Sequence, residues 1–114
     1  MHFSKQKIKD AMKYIHTVAL QGAPGVASYT DFCAVMKLGD PHNNKIMDKL
    51  LLAVMEECNR RGFPDLAALV VHAPGGKEGP GKGWYEGHGY QVGDLPLWRK
   101  HRDEALQRAS TFTI

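Results

Sequence analysis

The chain has 114 residues, with 15 Lys and Arg against 12 Asp and Glu, for a formal net charge of +3. At 43% hydrophobic and 24% charged it has the composition of one globular domain, long enough to bury a core without disulfides or metals as staples. No apolar run approaches the ~18 residues of a membrane span, and no apolar stretch follows the start of the chain, so a single cytoplasmic domain over 1–114 with no membrane partner is expected.

Residues 5–20 are predicted as a helix. Ile8, Ala11, Met12, Ile15 and Ala19 recur at helical spacing behind Ser4 as N-cap, and Gly22, Pro24 and Gly25 end it. A short second helix is predicted over 29–38, with Ser28 and Asp31 in capping-box spacing, Phe32, Val35 and Met36 as its core face, and Gly39 as its stop. Asp40-Pro41 opens a third helix, Asp as cap and Pro preorganised for the first helical position. Met47, Leu50, Leu51, Val54 and Cys58 carry its stripe to about residue 61, where Gly62 and Pro64 close it. The apolar run Leu66–Val71 is expected as a buried strand. Residues 73–83, rich in Gly and Pro, are expected as an exposed loop, and Trp84-Tyr85 as a returning strand. Asp94-Leu95-Pro96 starts a last helix to about residue 109, with Trp98, Ala105 and Ala109 inward, and Ser110–Ile114 is a frayed tail or a strand.

The residues make no positive case for an enzyme. The stretch Gly76–Gly83 approaches a phosphate-binding loop, but Gly83 stands where a Ser or Thr must hold magnesium, and no helix is expected after it. The six histidines form no HxxxH pair, and none stands at ligand spacing from Cys33 or Cys58, which read as buried thiols. His72 and His88 flank the glycine loop and would meet across a hairpin as a surface pair. No Ser or Cys has an evident base and orienting acid, and Glu56-Glu57 and Asp103-Glu104 look like helix surface. Neither a cofactor nor a metal is therefore expected.

The helix pair 29–38 and 41–61, joined by a glycine-containing turn of about three residues, has the helix-turn-helix arrangement. The start of its second helix would present His42, Asn43, Asn44 and Lys45 to a DNA groove, where Asn can pair with adenine and Lys can reach guanine or phosphate. A strand, a basic glycine loop and a returning strand would add a wing on which Lys77 and Lys82 touch backbone phosphates. The fold expected is α+β, a mainly helical winged helix-turn-helix with a small two- or three-stranded antiparallel sheet.

Four segments carry a resemblance. Ala27-Ser28-Tyr29-Thr30-Asp31-Phe32-Cys33 resembles the Thr-Tyr-Gly-x-Ile-Ala segment of the alkylguanine-DNA alkyltransferases and alkyltransferase-like proteins, and Gly39-Asp40-Pro41-His42-Asn43-Asn44-Lys45 is similar to their Gly-x-Pro-x-Ala-x-Arg recognition-helix start. Leu66–Val71 falls where their Pro-Cys-His-Arg-Val-Val lies, and Gly83-Trp84 resembles a Gly-Gly-Trp in the wing, so that the likeness covers roughly residues 25–106. It implies a winged-helix domain that binds the DNA minor groove, with Tyr29 and Lys45 in the roles of the Tyr and Arg that help turn a base out of the stack. Lys lacks the flat guanidinium that fills a base's place. Ala67 stands at the acceptor cysteine position, so the resemblance implies no alkyl transfer.

Two functions follow. One is a non-catalytic DNA-binding protein whose affinity comes mainly from phosphate neutralisation. The other is a small protein-interaction module, an inhibitor or accessory protein, binding through loop 75–93 with Trp84, Tyr85 and Tyr90 as anchors. Lys45, Lys77 and Lys82 on one carboxylate-free face would favour DNA, and an exposed aromatic patch would favour a protein partner.

Overall fold

In the computed structural model, which describes residues 3–73 and 76–114, the first helix, α1, runs Lys5–Leu20, and Ser4 Oγ accepts the Lys7 amide hydrogen as its cap. Its apolar stripe is buried at Ala11, Met12, Ile15 and Ala19. His16 lies on the same face and is satisfied there: its Nε2–H donates to the Ala109 carbonyl at 2.6 Å, so a polar ring enters the core with its hydrogen bond made. The second helix, α2, spans Tyr29–Met36, capped by Ser28 Oγ on Asp31 N. It ends before Gly39 because Lys37 already adopts left-handed backbone, φ 59. Cys33 rather than Val35 joins Phe32 and Met36 inside, and Val35 is exposed.

The third helix, α3, is Lys45–Arg61. It starts later than the Asp40-Pro41 signal predicts, because Asn44 is the better-placed cap. Asn44 Oδ1 accepts Met47 N while its Nδ2 donates to the Leu38 and Asp40 carbonyls, each at 2.9 Å. Asp40 instead closes a local turn by accepting His42 N. The connection between the two helices is therefore the whole of 37–44 rather than about three residues. Met47, Leu50, Val54 and Cys58 are buried along one side of α3, as their spacing requires. Gly62 at φ 73 ends it in a left-handed cap, with Phe63 N reaching back to the Cys58 carbonyl.

The expected strand at 66–71 divides in two. Leu66–Leu69 winds into a 3-10 turn capped by Asp65, and only Val70–Val71 (β2) is extended. Its partner is Ala27–Ser28 (β1), in register Ala27↔Val70 and Ser28↔Val71, and the pair is parallel, not antiparallel. The reason is topological. No strand returns at Trp84-Tyr85, so the edge of β2 is met by the segment that precedes α2, and the α2–α3 stretch between them is long enough for the crossover that parallel strands need.

Residues 82–88 form a seven-residue helix, α4 (Lys82–His88), in place of the predicted strand. Helical backbone turns the adjacent Trp84 and Tyr85 both inward, and both are buried. Gly87 permits the close approach to α3: a Cβ there would lie 3.2 Å from both Leu52 and Met55. Of the predicted exposed loop, Gly79 and Pro80 are buried, and Pro74 and Gly75 lie outside the described residues. The last helix, α5, runs Leu95–Arg108 behind Asp94 as N-cap and with Pro96 in its first turn, with Trp98 and Ala105 inward, and is followed by a 3-10 turn, Ala109–Thr111. The tail is packed rather than frayed, since Phe112 stacks on His16 at 4.7 Å and on Phe63 at 4.4 Å between ring centroids.

The result is a mostly helical α+β fold with one two-stranded parallel sheet. Its centre is the 3-10 turn Leu66–Leu69, against which α1, α3 and α5 all pack. Trp98 spans from α5 to this turn and donates its indole N–H to the Ala68 carbonyl at 2.9 Å. No described helix is long and apolar enough to cross a membrane.

Two substitutions probe this frame by urea denaturation. Leu50→Ala, at a fully buried position, is expected to cost about 2–5 kcal/mol. Asn44→Ala removes a helix cap and is expected to cost about 1–2 kcal/mol; a loss below a few tenths would show that the Asn44 side chain does not hold the start of α3.

Candidate functional site

The N-terminal end of α3 and the N-terminal end of α4 face each other across a cleft of about 410 Å³. The sequence places them together through Tyr29. As the first residue of α2 its ring packs edge-on against His72 at 5.3 Å, and its hydroxyl accepts the Gly81 amide hydrogen at 2.6 Å. That contact pins the start of α4 beside β2. Burial pushes the Tyr29 phenol up to about 12, against the lowering effect of the Gly81 hydrogen bond.

Five of the seven residues singled out for DNA contact line this cleft: Tyr29, His42, Asn43, Asn44 and Lys82. His42 and Asn43 are exposed on the turn before α3, Asn43 with left-handed backbone at φ 50. Asn44 lines the wall, but both ends of its amide are committed to capping. Lys45 opens α3 on the exposed surface, and Lys77 is exposed ahead of α4; neither lines the cleft.

Sequence reading missed the rest of the lining. Met47, Leu51, Leu52 and Met55 make an apolar side from α3, and His72 and Asp48 add polar groups; Ala67, which the resemblance sets at the acceptor cysteine position, contributes from the 3-10 turn. Asp48 stands one turn into α3 from Lys45, a spacing that put it on the same end of the helix, and its carboxyl faces Gly83. Burial raises the Asp48 carboxyl above its ordinary range; Lys82 opposes that rise and Glu86 adds to it. The face that carries Lys82 thus also carries carboxylates.

The aromatic residues of 75–93 do not form an outward patch. Trp84 and Tyr85 are buried and Tyr90 is half-buried. They belong instead to a group centred on Asp65. Asp65 Oδ1 caps the 3-10 turn through Ala67 N at 2.9 Å, while Oδ2 accepts from Trp84 Nε1 and from His88 Nε2, each at 2.7 Å. His88 stacks on Tyr90 at 5.0 Å, and Tyr90 Oη is 2.9 Å from His101 Nε2. Desolvation holds the His101 imidazole below its ordinary value, and the neighbouring His88 pushes the same way. His88 therefore meets His101 rather than His72. A second cavity of about 390 Å³ opens over this group.

No protein-family model, curated protein or solved structure matches this chain.

Both thiols are buried and unpaired. Burial raises each, Cys58 to about 12. Ellman's reagent at pH 8 is expected to leave both untouched until denaturant is added, and rapid reaction of the native protein would contradict their burial. The raised values for Cys58 and Tyr29 also set a direction for stability. The folded state holds protons that the unfolded chain releases above its ordinary values of 9.0 and 10.0, so stability is full below pH 9 and falls as pH rises toward 12. Thermal melts across pH 7–11 should show that decline, with Cys58→Ala shallower than wild type.

Proposed function

We propose that the chain is a non-catalytic DNA-binding protein that works through a helix-turn-helix, α2 and α3, together with the cleft beside it. The observation that carries this reading is the convergence of Tyr29, His42, Asn43 and Lys82, from three separate segments, around one partly apolar cleft at the start of a 17-residue helix. A helix N-terminus favours phosphate, and the exposed Lys45, Lys49 and Lys82 stand near that end of the molecule. His42 and Asn43 remain free to meet base edges, while Asn44 acts by shaping the turn.

The cleft itself does not suit a phosphate. Its α3 side is apolar and Asp48 adds negative charge. These features suit an uncharged, flat group, while the backbone phosphates stay on the rim. A nucleobase fits that description, and Ala67 in the lining, the position of the acceptor cysteine in the alkyltransferase resemblance, leaves no nucleophile to react with it. The predicted antiparallel wing has no place in this reading, since residues 82–88 are helical; Lys77 contributes from the segment before α4.

The test is fluorescence anisotropy with a short duplex across a salt titration. Binding at low salt is expected, with Lys45→Ala and Lys82→Ala each weakening it about 3–10-fold and each reducing the salt slope by about 1. Absence of binding at low salt, or unchanged affinity in both variants, would reject the proposal.

A further inference from the structure

The Asp65 group lies at a second cavity, on the far end of α4 from the cleft. Asp65, from the loop before the 3-10 turn, His88, from the end of α4, and His101, from the middle of α5, each place one ligand atom within 4.8 Å of the other two. We propose that these three side chains bind a divalent first-row transition ion, zinc being the expected one.

Three features support it. The donor set is two imidazoles and one carboxylate, the mixture of nitrogen and oxygen that suits zinc and its neighbours rather than magnesium or calcium. Ligands on tetrahedral zinc at ~2.0–2.2 Å lie about 3.4 Å apart, so small side-chain rotations that separate Asp65 and His88 from 2.7 Å and close any wider pair, none beyond 4.8 Å, bring all three onto one ion. The charge balance also calls for a cation. The Asp65 side chain is 8% exposed, and among the described residues its ion-pairing partner is His88 alone, with no Lys or Arg on it. A buried carboxylate in that position is stabilised by a cation.

The third feature is access with support behind it. The cavity of about 390 Å³ over the group is also lined by Glu56 and by Glu104, the latter ion-paired with Arg108, and it opens the three ligands to solvent. Behind the ligands, the Trp84 indole N–H and the Ala67 amide already orient the Asp65 carboxylate, and Tyr90 Oη lies against His101. Such outer contacts are what metal ligands ordinarily need. Entry of the ion replaces the His88–Asp65 hydrogen bond by a metal–nitrogen and a metal–oxygen bond. The imidazole proton moves to the ring nitrogen that is not coordinated.

Calorimetric titration of the tag-free full chain with zinc chloride tests the site, with the visible absorption of added cobalt(II) as a second readout. One zinc per chain at micromolar or tighter affinity is expected, together with a rise in melting temperature. His101→Gln and His88→Gln are each expected to weaken it at least about tenfold, while the metal-free variants keep the wild-type circular dichroism. Asp65 is left intact because it also caps the 3-10 turn. Absence of saturable zinc binding up to millimolar concentration would overturn the proposal, as would equal affinity in the double variant His88→Gln/His101→Gln.

Discussion

The Asp65 carboxylate is the point on which the two halves of the molecule agree. One oxygen starts the 3-10 turn at the centre of the core, and the other accepts the indole of Trp84 and the imidazole of His88 from α4. Without it the turn would have an open N-terminus and two part-buried donors, Trp84 Nε1 and His88 Nε2, would lack an acceptor, each costing up to about 1–3 kcal/mol. Because all these partners are supplied, no buried side-chain polar atom among the described residues is left without a hydrogen bond. The same turn then takes the Trp98 indole on the Ala68 carbonyl, so α4 and α5 are both fastened to it by tryptophan N–H groups.

This arrangement also explains where sequence reasoning held and where it did not. Helices with long apolar stripes and local caps were legible: Ser4, Ser28 and Asp94 are caps as expected, and Ala11, Ile15, Leu50, Val54, Trp98 and Ala105 are buried as their spacing implies. What escaped was set by contacts distant in sequence. Trp84-Tyr85 among glycines has the local look of a strand, but the acceptor waiting on Asp65 and the space left by Gly87 against Leu52 and Met55 favour a helix. Asp40-Pro41 is a sound helix start by local rules; Asn44 prevails because its amide also satisfies the Leu38 and Asp40 carbonyls. Of the cleft, the polar rim at 42–44 was visible as a helix start and Ala67 was marked by the resemblance alone, whereas Asp48 and His72 carry no local mark of a shared site. The His88–His101 meeting was invisible because it joins two helices through Tyr90.

Helix α4 is a wall common to both cavities. Its first residues, Lys82, Gly83 and Trp84, line the larger cleft, and its last, Gly87 and His88, line the smaller. Met55 of α3 reaches both. The position of α4 is set by Tyr29 ahead of its first turn and by Asp65 at Trp84 and His88, so the two cavities share one wall.

The contacts that build the cleft are also far apart along the chain. Tyr29 and Gly81 are separated by 52 positions, and the His16–Ala109 bond that closes the opposite side of the core spans 93. Loop closure on that scale is entropically costly until many contacts form together. The helix pair 28–62, cut out alone, would keep its caps and lose Ala67, His72 and all of α4. The cleft is thus a property of the completed fold, and it appears or disappears with the whole cooperative unit rather than residing in a transplantable motif.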